Sequence, residues 1–200
     1  MNSAMSRAGP CPGAERRLLP SSHLPTSPWH AAVGHCRCRG RTRYLPTVRI
    51  TLRELTNDNC QAVVALRTTP AQERFVSTVA HSLREAELHP NEHPWLRAIY
   101  AGDQPVGFVM VAWDFVPEPP HTDGPFFLWK LLIDHEHQGK GYGTRAVEQV
   151  IDLIRADGGT ELITSYVPGE GNPLGFYTRL GFVPRGDLDP EGEIMLRRPL

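Results

Sequence analysis

The chain has 200 residues, enough for one domain with a sizeable core and an appendage. Its 21 basic and 22 acidic residues give a net charge of −1, and no apolar run is long enough to span a membrane. Four cysteines are too few and too unevenly placed for a disulfide framework, and the one Cys-x-Cys pair lacks the second ligand pair of a zinc finger. We therefore expect reduced thiols, a cytoplasmic location, no membrane partner and no metal.

The charge is distributed unevenly along the chain. Residues 1–46 carry seven arginines and one acidic residue, a net charge of +6, which leaves −7 for residues 47–200. The first segment also contains six prolines and has neither a helical nor a strand period. We expect it to be a disordered N-terminal extension and hypothesise that the native start lies downstream. The acidic remainder, which we expect to fold as one domain, repels nucleic acid and favours cationic small molecules.

The first half of this domain is predicted to contain one strand, two helices and a hairpin. Residues 48–53 alternate between apolar and polar, as in a half-buried strand. A short helix follows, and a second helix is predicted over about 72–88, whose apolar residues at helical spacing, Phe75 included, are interpreted as core. Strands over 96–101 and 106–115, joined by a tight turn, complete this half.

The second half is predicted to centre on one buried strand. Four prolines between residues 117 and 125 exclude regular structure and predict a long loop that forms a rim or lid. Residues 126–133 are almost continuously apolar, as in a strand that is covered on both faces. The elements predicted after it are a helix from Gly141 to the Gly158–Gly159 pair, a strand over 162–167, a helix over 174–180 and short strands at 182–183 and 194–196.

A glycine-rich turn joins the central strand to the helix that follows it. Its backbone N–H groups stand at the positive end of a helix, which is a binding site for anions. Gly139, Gly141 and Gly143 do not form the dinucleotide fingerprint, because Thr144 breaks the pattern, and no lysine–serine pair supplies the phosphate loop of nucleoside triphosphatases. The turn therefore argues against a kinase or a dehydrogenase.

The same turn resembles the acetyl-CoA site of the GNAT superfamily of N-acetyltransferases. The superfamily motif is Gln or Arg, two residues, Gly, one residue and Gly or Ala, placed after the fourth strand, and it reads here Gln138-x-x-Gly141-x-Gly143. About thirty residues later, Asn172 and the segment Phe176-Tyr177-x-x-x-Gly181-Phe182 resemble the superfamily's second landmark. The resemblance covers roughly residues 48–196. It implies a mixed α/β fold with a mostly antiparallel sheet of six to seven strands, splayed between strands four and five and flanked by about four helices.

Three further segments, 70–76, 99–109 and 127–134, resemble the bacterial spermine/spermidine N-acetyltransferases within this superfamily. The resemblance implies transfer of the acetyl group of acetyl-CoA to a primary amine, with spermidine or spermine as acceptor. Two alternatives stay open: another amine, such as an aminoglycoside, an amino acid or a protein N-terminus, and an acyl-CoA sensor without turnover. A sheet edge near the C-terminal strands would allow a homodimer, although no residue requires one.

The resemblance also implies roles for individual residues. Tyr177 matches the general acid that protonates the departing thiolate of CoA, with a core aromatic as the alternative. The central strand would carry the pantetheine arm, and a backbone N–H near Leu132 would polarise the thioester carbonyl. The residues implied in cofactor binding are Leu131, Leu132, Ile133, Gln138, Gly139, Lys140, Gly141, Tyr142, Gly143, Thr144 and Asn172.

The acceptor amine needs a base as well. At pH 7 an alkylammonium with a pKa of about 10.4 lies more than three units from its nucleophilic form, a cost of about 4.6 kcal/mol. A carboxylate near the cleft can bind the cation and take up its proton. Glu73, in a family-like segment, and Asp114, at a strand end, are favoured over Glu92 and Asp134. The histidines on either side of Glu136 have metal-like spacing and are interpreted as loop residues.

Overall fold

The computed structural model describes residues 48–116 and 124–200. The predicted disordered extension and most of the proline-rich loop lie outside these ranges. Across the two described ranges, no helix combines the length and the apolar character that crossing a membrane requires.

The strands of the described residues are β1 (Ile50–Arg53), β2 (Pro94–Ala101), β3 (Gln104–Trp113), β4 (Phe126–Ile133), β5 (Glu161–Tyr166), β6 (Val183–Leu188) and β7 (Ile194–Pro199). They form one seven-stranded sheet in the order β1-β2-β3-β4-β5-β7-β6. Neighbouring strands run antiparallel, apart from the parallel pair of β4 and β5. The predicted mixed, mostly antiparallel sheet is therefore confirmed.

Four α-helices of the described residues accompany the sheet: α1 (Asn57–Val64), α2 (Val79–Leu88), α3 (Tyr142–Ala156) and α4 (Leu174–Arg179). Val109 and Val111 of β3 belong to a core that includes α3, whereas Phe108 and Met110 belong to a core that includes α1 and α2. Side chains alternate between the two faces of a strand, so the two cores lie on opposite faces of the sheet. The central strands are therefore covered on both sides, as their apolar sequences predict.

Helix α2 is shorter than predicted. It begins at Val79, after Thr78, whose side-chain oxygen accepts a hydrogen bond from His81 N. Residues 70–75 form turns instead of the predicted first part of the helix. Thr78 is the N-cap and sets the start of the helix after Phe75. Phe75, predicted as a core residue, is consequently half-buried outside the helix and is free to line a cleft.

Strands β4 and β5 lie side by side at one end only. Phe127 pairs with Ile163, and Thr164 Oγ1 donates to Leu128 O at 2.9 Å. Within the described ranges, no second residue pair joins the two strands. The strands diverge beyond Leu128, which confirms the predicted splay between the fourth and fifth strands.

Candidate acetyl-CoA cleft

The splay opens a cleft of about 850 Å³. Its walls come from residues of the segments 68–77, 129–133, 137–144 and 165–179, together with Glu193. These segments are far apart in sequence. The divergence of β4 from β5 brings them together around one concave surface, which is where ligand sites form.

The glycine-rich turn forms one end of this cleft. Gly139 and Gly141 have φ values of 73° and 72°, which favour glycine, and a Cβ at either position would meet no atom within 4 Å. The need for glycine is therefore conformational, and the space over the turn is open. No acceptor among the described residues takes a hydrogen bond from the N–H groups of residues 139–144. Since the 15-residue helix α3 begins at Tyr142, these groups form an anion site at its positive end.

The side chain of Gln138 braces this turn. Its Nε2 donates to Ile133 O at 3.0 Å and to Gln72 Oε1 at 2.9 Å, and Gln72 Nε2 donates back to Gln138 Oε1 at 3.2 Å. Gln72 is itself held by Thr69 Oγ1, which donates to Gln72 Oε1 at 3.0 Å. The glutamine of the motif thus links the turn to β4 and to the 70–75 turns, and its side chain orients the backbone that lines the cleft.

Asp134 holds the corner between β4 and the turn. Its two oxygens accept hydrogen bonds from Arg67 N at 2.9 Å and Glu136 N at 3.0 Å. Burial raises the pKa of this carboxyl, but the two hydrogen bonds, together with His135 and His137, outweigh burial and hold the pKa below its usual value. Ligand atoms of Asp134, Glu136 and His137 lie within 4.8 Å of one another, yet the Asp134 oxygens already serve the backbone. Asp134 thus stabilises the backbone of this corner.

Strand β4 presents an open main-chain edge to the cleft. A bulge lies at Trp129, because Leu128 and the residue after Trp129 pair with consecutive residues of β3. Leu128 O accepts from Thr164, and Ile133 O accepts from Gln138. Between these two occupied carbonyls, the edge of β4 faces the cleft without β5 beside it.

Nine of the eleven residues predicted to bind the cofactor line the cleft. Leu132 is the first exception, since its side chain is 3% exposed in the core with α1 and α2. Lys140 is the second, and its Nζ donates to Glu136 O at 2.8 Å. Asn172 lines the cleft and also holds the start of α4, because its Oδ1 accepts from Leu174 N at 3.0 Å. The nine are Leu131, Ile133, Gln138, Gly139, Gly141, Tyr142, Gly143, Thr144 and Asn172.

Tyr177 lines the cleft from α4 and is 8% exposed. The rings of Phe176 and Phe182 pack edge-on against its ring, with centroids 5.3 and 5.4 Å away. Burial raises the pKa of the Tyr177 hydroxyl above its usual value, an interaction with Thr164 opposes the rise, and the Glu193 carboxylate adds to it. The phenol therefore stays protonated at neutral pH.

Two carboxylates line the cleft in the described part of the chain, Glu73 and Glu193. Glu73, which the sequence analysis names as a candidate base, is exposed in the 70–75 turns. Glu193 is half-buried just before β7, and its Oε2 accepts a hydrogen bond from Ser165 Oγ at 2.5 Å. Sequence reasoning missed Glu193, because no motif surrounds it and only the pairing of β5 with β7 brings it to the cleft.

The structure places Asp114, predicted as a base, away from the described wall of the cleft. Strand β3 ends at Trp113, which pairs with Phe126 at the end of the sheet where β4 and β5 are still joined. The cleft opens at the other end, so exposed Asp114 does not line it. Glu92, also considered as a base, lies outside the cleft wall and is 3.5 Å from His89.

The segment before α2 reaches across the cleft to the β5–α4 connection. Arg74 donates to Glu170 O. The Phe75 ring lies about 4 Å from the points where a Cβ would stand on Gly169 and on Gly171. Sequence reasoning missed this contact because it assigned Phe75 to a helix. The only signal was that both residues fall in the family-like segment 70–76.

Comparison with known proteins agrees with this geometry. The model of the acetyltransferase (GNAT) family matches residues 52–182. The spermine/spermidine N(1)-acetyltransferase of Bacillus subtilis is 27% identical over 153 residues, which are 76% of this chain and 99% of that protein. Among solved structures, an aminoglycoside acetyltransferase in complex with coenzyme A has a TM-score of 0.61 and 18% identity, covering 76% of this chain and 95% of that one. The PaiA N-acetyltransferase of Thermoplasma acidophilum in complex with coenzyme A has a TM-score of 0.54 and 14% identity, covering 76% and 99%. The two structures establish the fold.

Proposed function

The chain belongs to the GNAT family of acetyltransferases, and we propose that its acceptor is a primary amine of a polyamine such as spermidine or spermine. As a family member it is an acetyl-CoA-dependent N-acetyltransferase. The observation that carries the choice of acceptor is the similarity to the Bacillus subtilis spermine/spermidine N(1)-acetyltransferase over 99% of that protein's length. We further propose that residues 47–200 form the acetyltransferase domain.

The glycine-rich turn fits the diphosphate of the cosubstrate. Its backbone N–H groups have no acceptor in the described residues, the space above Gly139 and Gly141 is open, and the axis of α3 places positive potential there. We assign the diphosphate to the N–H groups of residues 138–144. The ammonium of Lys140 donates to Glu136 O, so only its backbone N–H is assigned to this role.

The open edge of β4 fits the arm of the cosubstrate that carries the thioester. Acetyl-CoA supplies an acetyl group that is activated as a thioester. Leu131 and Ile133 line the cleft along this edge, and a main-chain N–H near Leu132 would donate to the thioester carbonyl. A donor placed in advance at a developing oxyanion lowers an acyl-transfer barrier by roughly 3 kcal/mol.

Tyr177 is proposed as the general acid for the departing thiolate. Its hydroxyl is held protonated by burial, and it shares the cleft with the open edge of β4. Because a thiolate with a pKa of about 8.5 leaves without much help, the gain belongs at the low end of the roughly 10²–10⁴-fold range of acid catalysis.

Carboxylates on the wall of the cleft support a cationic acceptor. Two carboxylates, Glu73 and Glu193, lie on its wall. The basic groups on the wall are Arg74, Lys130, His137 and Arg179. Lys130 forms an ion pair with Glu85 at 3.2 Å, and Arg74 donates to Glu170 O. Each of the two carboxylates can bind one ammonium group, and an amine with more than one positive charge can use both.

The acceptor is tested with the full-length protein and acetyl-CoA, by following thiol release with a panel of amines. We expect the highest kcat/KM for spermidine and spermine, compared with a simple monoamine, an aminoglycoside, an amino acid and a peptide with a free N-terminus. A higher kcat/KM for any other member would refute the polyamine assignment. Tight binding of acetyl-CoA without thiol release for any amine would identify a sensor instead of an enzyme.

A further inference from the structure

We propose that Glu193 binds the reacting ammonium of the acceptor and takes up its proton, with Ser165 holding the carboxylate in place. This inference rests on the proposed amine acetylation and adds a catalytic residue to it. It replaces Asp114, and it separates the role of Glu193 from that of Glu73 on the same wall.

Hydrogen bonds hold both the backbone and the side chain of Glu193 in place. Its backbone N donates to Asp189 Oδ1 at 2.7 Å, and Asp189 N donates to Glu193 O at 3.0 Å. Its Oε2 accepts from Ser165 Oγ at 2.5 Å. For Oε1, the described residues provide no hydrogen-bond donor. One carboxylate oxygen is thus held by the protein, and the other is available to a ligand in the cleft.

Glu193 lies beside the group proposed to act as acid. Both side chains line the cleft, and both contact adjacent residues of β5: Ser165 donates to Glu193, and Thr164 interacts with Tyr177. The negative charge of Glu193 also contributes to the raised pKa of Tyr177. An acyl transfer needs a base at the incoming amine and an acid at the leaving sulfur, and both atoms are bonded to the same carbonyl carbon in the tetrahedral intermediate. A base for this reaction must therefore be a near neighbour of the acid.

Glu73, the other carboxylate of the cleft, is less suited to act as the base. It is exposed in the turns before α2 and has no hydrogen bond to another described side chain. An exposed carboxylate is well suited to attract a cation to the cleft, since surface charges act mainly on encounter. The half-buried carboxylate beside the acid is better suited to proton transfer.

The acceptor enters as an ammonium ion, and one of its N–H protons moves to Glu193. The lone pair of the neutral amine forms the C–N bond, the second N–H proton is released as the amide forms, and the C–S bond breaks. The sulfur takes the Tyr177 proton, the tyrosinate regains the proton released from nitrogen, and Glu193 loses its proton to solvent. The net products are a neutral amide, a thiol and one proton.

The test compares Glu193→Gln with Glu73→Gln and with Glu191→Gln as the matched control. Glu191 is an exposed carboxylate in the same β6–β7 turn and does not line the cleft. Glutamine keeps an oxygen that accepts from Ser165, so the first variant should fold. We expect Glu193→Gln to lower kcat for spermidine at least about 10²-fold, the low end for acid–base catalysis, and to leave the Kd of acetyl-CoA unchanged. Ser165→Ala should show a smaller loss in kcat. Glu191→Gln should match the wild type.

A second readout separates proton removal from simple binding. An amine whose ammonium pKa is lowered by fluorine next to the amino group needs less help from a base. The loss caused by Glu193→Gln should therefore be smaller for such an amine than for its unfluorinated counterpart. Equal losses for the two amines, an unchanged kcat, or a parallel loss of acetyl-CoA binding would each overturn the proposal. A wild-type protein that acetylates no amine would instead overturn the proposed function.

Discussion

Replacing Tyr177 with phenylalanine removes one hydroxyl from the buried wall of the cleft and leaves the ring in place. The ring packs between Phe176 and Phe182, so the variant should fold. Removing the hydroxyl should change the free energy of unfolding by no more than about 1 kcal/mol, the usual net value of one hydrogen bond. If the hydroxyl is the acid, kcat should fall by about 10²-fold, or about 2.7 kcal/mol in barrier height.

Tyr166→Phe is the matched control for this experiment. Tyr166 is equally buried and lines the same cleft from β5, but no role in proton transfer is assigned to it. Thiol release should be measured at saturating acetyl-CoA and spermidine for the wild type and both variants, with urea unfolding alongside. Full kcat in Tyr177→Phe, or an equal loss in Tyr166→Phe, would refute the assignment of the acid.

The raised pKa of Tyr177 also predicts how pH affects the wild type. The pKa is raised above its ordinary value of 10.0, so the phenol should remain a competent acid throughout neutral and moderately basic pH. In the folded state the protonated form is favoured. Its contribution to stability is therefore complete below about pH 10, the unfolded pKa, and is lost as the pH rises through the folded pKa. Tyr177→Phe should lack this alkaline loss in urea unfolding, and an identical pH profile would contradict the burial argument.

Three further substitutions test the frame around the cleft. Gly141→Ala places a side chain at a φ of 72°, which costs about 1–2 kcal/mol of backbone strain, and should raise the Kd of acetyl-CoA in calorimetry. The control, Gly102→Ala, has a similar φ of 64° but lies outside the cleft and should leave this Kd unchanged. Asp134→Ala strands two backbone N–H groups and should cost about 1–3 kcal/mol in urea unfolding at pH 7. Because the pKa of Asp134 is lowered, that difference should persist above about pH 4 and shrink as the pH falls through the folded pKa; a constant difference would contradict it. Gly159→Ala places a Cβ 2.6 Å from the Phe126 ring and should lower Tm, at about 1–3 kcal/mol, with kcat retained at 25 °C; an unchanged Tm would count against the packing.

The fold around the cosubstrate could be predicted because its signals are local. Apolar continuity over 126–133 predicts β4 with its observed ends, and the glycines that follow predict the start of α3 to within a residue. The helix signal over 72–88 is also local, but it is right only from Val79 onward. The spacing of Phe75 agrees with the helical period, but the side-chain cap at Thr78 makes the helix begin after Phe75.

The acceptor side of the cleft could be predicted only in part. Glu73 was found because it lies in a segment with family character, whereas Glu193 has no pattern of its own. Glu193 reaches the site through the antiparallel pairing of β5 with β7, and that register is a property of the whole sheet. The position of Asp114 could not be predicted for the same reason, since a strand end does not indicate which end of the splay it occupies. Residues placed by long-range pairing are where sequence reasoning is weakest.

Among the described residues, backbone pairing divides the sheet into two groups of strands, which meet at one residue pair between β4 and β5. In the described part of the chain, strands β1 to β4 are joined by 19 residue pairs and β5 to β7 by nine, whereas one pair, Phe127 with Ile163, and the hydrogen bond from Thr164 to Leu128 O connect the two groups. In the free protein the two groups are therefore held together mainly by the core that they share, which contains Leu128 of β4 and Leu162 of β5. A molecule lying along the gap would contact both groups and couple their stabilities. We expect acetyl-CoA to slow amide hydrogen exchange in both groups together, including amides of β7 that are distant from the bound molecule.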